Sequence, residues 1–379
     1  MIEYQESFGK RLSRRSRLLA GLLDGEKAQT GPFWVDFDVT RRCNLRCVGC
    51  LYHSPLVNGL RQPNPGVSDI AIDLVERTVK ELARMGTHTV IIQGAGEPLM
   101  HPRIVDIITA VKRAGMFCRL LTNGTLLDGA MVERLIGAGL DSLRISIWAN
   151  TAAEMHGAND ELDARNFDSI VKGIRLVAEA RAQRSSLIPQ VELYQVVNRN
   201  NYRTVASLAD LALKHHCAGI RLAQLITRRG QIDEYSLSPE EEKICLQQLA
   251  QVRPALQEQG VAHNIDGLAM RFEKGERVWD HAACFTPWYR LRVLVDGTVK
   301  VCRGHDEEFG HLERQSLSEI WNGAPLRAFR RRVASREGLA RVAEYSDCRA
   351  CCFFAENLRV ENIYRWVRPL TVNRGNDRS

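Results

Sequence analysis

Between residues 34 and 225, short β-rich runs alternate with amphipathic stretches. The runs are WVDFDVT (34–40), HTVIIQG (88–94), MFCRLLTNG (116–124), SLRISIWA (142–149), PQVELYQVV (189–197) and AGIRLAQL (218–225). Between them lie segments such as DIAIDLVERTVKELARMG and NFDSIVKGIRLVAEARA, apolar at three- and four-residue intervals, the period of a helix with one buried face. Strand–helix alternation predicts a parallel sheet with helices outside it. Six such units are two short of a closed eight-unit barrel. The pattern therefore predicts an α/β fold, a partial (β/α)6 TIM-like barrel, with its chemistry at the C-terminal ends of the strands.

The pattern changes further along. A helix is expected over about 238–259, opened by Ser238-Pro239 with acidic residues in its first turn. After about residue 275 come aromatic- and cysteine-containing loops and a hairpin, YRLRVLVDGTVKVC, turning at Asp296-Gly297. The expected organisation is an N-terminal extension (1–33), the barrel (34–235), a helical connection (236–274), a small second domain (275–360) and a tail (361–379) that ends in NRGNDRS.

Composition narrows the class. The 379 residues are 45% hydrophobic and 26% charged, an ordinary globular mixture. No apolar run approaches the roughly 20 residues of a membrane helix, and the basic N-terminus lacks the layout of a secretory signal. A cytoplasmic protein without membrane partners is expected. Net charge is +7, with Arg11, Arg14, Arg15 and Arg17 near one end and Arg327, Arg330, Arg331 and Arg332 near the other. Solvated helix faces explain such clusters, and an anionic substrate is the alternative. Nucleic acid is not expected, because no basic motif is interleaved with aromatics.

Eleven cysteines are many for a reducing compartment, and they are unevenly spread. Cys43, Cys47 and Cys50 follow the first strand as CNLRCVGC. Three thiolates from one loop can hold three irons of a [4Fe–4S] cube and leave the fourth open. Zinc, with His53 as a fourth ligand, is the competing reading. Cys284 and Cys302 flank the predicted hairpin, and Cys348 and Cys351 form a Cys-x2-Cys turn, a set that suits a fully ligated cluster or a zinc knuckle. Cys118, Cys217 and Cys245 read as buried small hydrophobes.

CNLRCVGC after a strand resembles the CxxxCxxC signature of radical S-adenosylmethionine (SAM) enzymes. Gln93-Gly94-Ala95-Gly96-Glu97-Pro98 ends the second strand and resembles their Gly-Gly-Glu-Pro segment. The resemblance implies that the Gly94–Gly96 backbone and the Glu97 carboxylate hold the methionine part of SAM. It also implies contacts from Asn123 and from Ser146 on the fourth strand. Two departures stand out: Gly49 replaces an aromatic near the adenine, which leaves Tyr52 to pack there, and Trp148 stands where relatives place an acid.

The C-terminal cysteines resemble the SPASM extension or its shortened twitch form. Asn357 occupies the place of a cysteine that a second auxiliary cluster needs. One auxiliary [4Fe–4S] cluster on Cys284, Cys302, Cys348 and Cys351 is therefore implied, with Cys352 as a candidate hydrogen-atom donor. By resemblance the protein cleaves SAM to a 5′-deoxyadenosyl radical, using a flavodoxin or ferredoxin-type electron donor. A single auxiliary cluster resembles enzymes of aminoglycoside biosynthesis, so the expected substrate is a small polar, sugar-like molecule that is dehydrogenated or epimerised. Modification of a peptide or protein side chain is the alternative, and a non-catalytic iron–sulfur or zinc protein the third reading. Candidate substrate contacts are His53, Gln93, Trp148, Gln224 and Trp288.

Overall fold

The computed structural model describes residues 8–56, 66–151, 164–227, 231–275, 277–343, 348 and 351–372. After helix α1 (Phe8–Asp24), the six expected units follow in order. They are β1 (Trp34–Asp38), α2 (Ile72–Arg84), β2 (Thr89–Gln93), α3 (Ile104–Arg113), β3 (Phe117–Thr122), α4 (Gly129–Gly137), β4 (Ser142–Ile147), α5 (Ala164–Gln183), β5 (Gln190–Val197), α6 (Ala206–Lys214) and β6 (Gly219–Gln224). The strands are parallel and pair in sequence order. Each is shorter than its apolar run, and in all but β5 the last residues of the run turn into the loops that carry the chemistry.

The connection contains α7 (Pro239–Glu258) and α8 (Ile265–Lys274). Ser238 and Glu241 close a capping box at the start of α7, which satisfies orphan N–H groups of its first turn. The hairpin of β7 (Arg290–Val293) and β8 (Thr298–Lys300) turns at Gly297, whose φ of +90° favours glycine. It does not stand apart from the barrel. β7 pairs in parallel with β1, and β9 (Gly310–His311) adds to β8, so one nine-stranded sheet runs β6-β5-β4-β3-β2-β1-β7-β8-β9. Helices α9 (Leu317–Trp321), α10 (Ala324–Val333), α11 (Arg336–Ala343) and α12 (Phe354–Val372) follow. The expected tail from residue 361 is thus helical as far as Val372.

Parallel strands usually carry apolar side chains on both faces. Here only the outer face is apolar. Val35, Phe37, Val90, Ile92, Leu120, Leu143, Ile145, Leu193 and Leu222 join one buried cluster with the helices, each burial stabilising by roughly 1.5–3 kcal/mol. Most alternate positions, Ile91 on β2 and Leu121 on β3 apart, face the concave side with polar side chains: Asp36 and Asp38 on β1, Arg119 on β3, Arg144 and Ser146 on β4, Glu192 and Tyr194 on β5, Arg221 on β6, and Arg290 and Arg292 on β7. The interior of the barrel is a charged lumen rather than a packed core.

The N-terminal extension is part of the C-terminal half. The indole N–H of Trp288 donates to the Gly21 carbonyl at 2.8 Å, that of Trp321 donates to Thr30, and Asn322 exchanges two bonds with the backbone of Ala28. Arg330, expected on a solvated face, is buried and donates to the carbonyls of Pro287 and Glu26 and to Asn322 Oδ1. Trp288 is likewise a core residue rather than a substrate contact.

Among the described residues, no helix is long and apolar enough to cross a membrane.

Candidate functional site

Cys43, Cys47 and Cys50 lie on the loop leaving the C-terminal end of β1. The loop is shaped by its own backbone. Leu45 N–H donates to Cys43 Sγ, Tyr52 and His53 N–H donate to Cys50 Sγ, and Cys50 N–H bonds the Cys47 carbonyl. Burial, and after it the neighbouring anionic groups, pushes the Cys43 thiol up to about 11, and burial with both partner cysteines drives Cys47 higher still. The folded chain therefore does not stabilise these thiolates by itself. A cationic iron offsets that cost, so the donor set suits a cluster.

The Gly94–Pro98 segment is laced to the cysteine loop. Gly96 N–H donates to the Thr40 carbonyl at 2.9 Å and Glu97 N–H to that of Arg42 at 2.8 Å, just before Cys43. A Cβ on Gly96 would meet the Arg42 carbonyl oxygen at 2.1 Å, so only glycine permits the crossing.

Glu97 is engaged within the protein itself. Its carboxylate is turned inward, where it accepts from Leu99 N–H, the Thr122 hydroxyl (2.6 Å) and Asn123 N–H (2.7 Å), so it ties β2 to β3. Burial raises its pKa against the pull of those donors. Asn123 is similarly engaged, donating through its amide to Asn44 Oδ1 of the cysteine loop and accepting from Thr125. Both residues position the loop. Ser146 is half-buried on the lumen side of β4.

Gly49 explains the missing aromatic. The Trp148 indole fills that place, for a Cβ on Gly49 would stand 2.6 Å from Trp148 Cη2 and 2.8 Å from Leu225 Cδ1. Beside them a cleft is lined by Val48, Trp148, Asn198, Asn200, Leu225 and Tyr235. Tyr52 stands elsewhere: its hydroxyl accepts from Arg292, and the Arg303 guanidinium lies 6.0 Å from its ring. Of the remaining candidates, Gln93 accepts from Arg303 at the lumen mouth, while His53 Nε2 and Gln224 Oε1 are buried without a hydrogen-bond partner.

The four C-terminal thiols converge from three segments. Burial and the charges of Cys302 and Cys348 raise Cys284, burial and Cys348 push Cys302 up to about 12, and burial, then Cys352, then the other three raise Cys351. Asn357 bridges Cys351 to the Cys284 loop, its amide reaching Cys351 Sγ and its Oδ1 accepting from Phe285 N–H at 2.8 Å. Cys352 adjoins this set, close enough to Cys302 and Cys351 for their charges to interact. It is exposed, and Tyr194, Arg290 and Arg303 of the lumen lie close enough to feel its charge. Among the described residues, no three His, Cys, Asp or Glu side chains are set to hold a single metal ion. Cys118, Cys217 and Cys245 are buried hydrophobes, as expected.

The comparisons with known proteins agree with this geometry. Residues 37–189 match the radical SAM superfamily and residues 284–362 match SPASM, an iron–sulfur cluster-binding domain. The chain belongs to the radical SAM superfamily, carries a C-terminal SPASM domain, and uses a SAM-binding [4Fe–4S] cluster with auxiliary cluster binding. It is 26% identical over 320 residues to the tungsten-containing aldehyde ferredoxin oxidoreductase cofactor-modifying protein of Pyrococcus furiosus, covering 78% of this chain and 83% of that one. It is 25% identical over 317 residues to the PqqA peptide cyclase of Gluconobacter oxydans, covering 78% of each. Among solved structures, Streptococcus suis SuiB bound to SAM shares the fold at a TM-score of 0.64 and 14% identity, over 87% of this chain and 75% of that one. The enzyme anSMEcpe with bound SAM does so at 0.57 and 19%, over 79% and 82%.

These findings overturn the expected sugar-like substrate. A relative matched along most of its length is a cyclase of a peptide. The single auxiliary cluster, on which the sugar reading rested, does not by itself select a substrate.

The sequence reading missed the lumen arginines. Their signal was present as period-two polar positions within otherwise apolar strands, at 36 and 38, 144 and 146, 192 and 194, and 290 and 292.

Proposed function

We propose that this radical SAM enzyme modifies a side chain of a peptide or protein. The observation that carries the reading is the match to a PqqA peptide cyclase over 78% of both chains. The polar lumen supports it, since Arg144, Ser146, Tyr194 and Arg221 are reached by solvent along the concave face and can line an extended segment.

Cys43, Cys47 and Cys50 hold the SAM cluster in this reading, and Cys284, Cys302, Cys348 and Cys351 hold one auxiliary cluster. Bound together, the cluster and SAM supply one-electron chemistry that removes a hydrogen atom from an unactivated carbon. The chain's own residues orient and exclude. Gly94 and Gly96 bring their backbone against the cysteine loop, Trp148 and Leu225 wall off one side from water, and Ser146 faces the reaction space. A flavodoxin or ferredoxin-type protein supplies the electron.

The test is anaerobic reconstitution with reductant, SAM and a short peptide encoded beside the gene. The expected result is 5′-deoxyadenosine together with a peptide lighter by two hydrogens. Formation of 5′-deoxyadenosine with every such peptide unchanged, and a sugar consumed instead, would sink the reading.

A further inference from the structure

The lumen carries several arginines. Arg290 is paired with Asp36 (2.6 and 2.7 Å) and Arg292 with Asp38 (3.0 and 2.7 Å), both bidentate. Arg144 is held by Glu192, and Arg221 lies 3.8 Å from Glu356. Four carboxylates are thus spent on four arginines. Arg119 Nε donates to the Ser142 hydroxyl at 3.2 Å, and burial followed by the charge of Arg144 lowers its pKa to about 10. Arg303 is held differently, by neutral acceptors, Gln93 Oε1 at 3.2 Å and the Gly94 carbonyl at 3.4 Å, and lies against Tyr52.

Arg303 also occupies a telling place. It follows Cys302 of the auxiliary set, yet its guanidinium reaches across to the Gly94 segment at the end of β2. Tyr194 of β5 and the Cys352 thiol lie near enough to feel its charge. It therefore stands over the lumen mouth between the two cysteine sets. A half-buried guanidinium kept on neutral acceptors favours an incoming carboxylate, which forms the stronger charge-assisted pair.

We propose that Arg303 binds a carboxylate of the substrate, an aspartate or glutamate side chain next to the modified carbon, and so selects acidic peptide segments. This rests on the peptide reading above and adds the substrate's chemical class.

The test uses calorimetric titration of the anaerobic holoenzyme, with and without saturating SAM. The probes are the acetylated, amidated heptapeptide Ala-Leu-Ala-Glu-Ala-Leu-Ala and its Gln counterpart, which carry no terminal charge. The Glu peptide is expected to bind about tenfold more tightly than the Gln peptide, the size of one charge-assisted pair. That preference should persist when SAM is bound, fall to less than about twofold in Arg303→Gln, and survive in part in Arg303→Lys, a point charge without the planar fork. Equal binding by the wild type would overturn the assignment. So would a preference that vanishes on adding SAM, which would give Arg303 to the cofactor's own carboxylate, or one that survives Arg303→Gln. If neither peptide binds, the assignment falls, whereas the peptide reading is judged by its own mass-shift assay.

Discussion

Gly49 and Trp148 occupy one another's space: the indole of β4's end lies where a side chain at residue 49 would begin, 2.6 Å from its Cβ. The aromatic wall beside the cysteine loop is supplied from across the barrel rather than from the loop. Gly49→Ala must push the indole or the loop, and overpacking of this kind costs about 1–3 kcal/mol. It should lower the thermal midpoint and slow 5′-deoxyadenosine formation. Adding Trp148→Phe should recover part of both, because the smaller ring clears the new methyl. Full activity of Gly49→Ala alone would show that the contact does not position the loop.

Asp38 and Arg292 form a fully buried pair, each with only 1% of its surface exposed. Asp38→Asn strands the arginine beside Tyr52 and should destabilise the apoprotein by about 3–5 kcal/mol, as measured by denaturant unfolding. Replacing Arg144, which is solvent-reached and half-buried, should cost clearly less.

Glu97 titrates in the direction set by burial. Its folded pKa lies above the ordinary carboxylate value, so the folded state holds this proton more tightly than the unfolded chain. Its contribution to stability is therefore fully present below the unfolded carboxylate pKa and is lost as pH rises through the folded value. Glu97→Gln places an amide donor against Leu99 N–H, Thr122 or Asn123 N–H, and should cost about 1–3 kcal/mol at neutral pH. Unfolding of the apoprotein across the acid range should show the wild type losing stability with rising pH relative to the variant. A flat difference would place the raised pKa in doubt.

Adjacent thiols Cys351 and Cys352 should behave oppositely. Cys351 faces Cys284, Cys302 and Cys348, and Cys351→Ala should reduce iron from about eight to about four per chain, the loss of one [4Fe–4S] cluster. Cys352 lies near Tyr194, Arg290 and Arg303, and Cys352→Ala should keep its iron, its 5′-deoxyadenosine and the lighter product, because a net loss of two hydrogens needs no hydrogen-atom donor. Equal iron loss in both variants would make Cys352 a ligand. Chelation or Cys50→Ala should abolish 5′-deoxyadenosine altogether.

Much of this protein is local. Strand and helix periods, the Asp296-Gly297 turn, the Ser238 cap and the spacing of Cys43, Cys47 and Cys50 are properties of a few consecutive residues, and the amino-acid order alone determined them. It likewise set the partial barrel, since six strand–helix units pack in few ways. What needed the tertiary structure was every pairing between distant positions. The bonds that Glu97 accepts from Thr122 and Asn123, joining β2 to β3, are one such pairing. Trp288 looks like a substrate contact until Gly21 accepts its indole proton, and Arg330 looks solvated until Pro287, Glu26 and Asn322 surround it. The lumen arginines stand alone in the chain, and only the closing of β7 onto β1 brings Arg290 and Arg292 to their carboxylates. Charge balance inside a barrel is a sum over strands far apart in sequence, so it is decided by the fold.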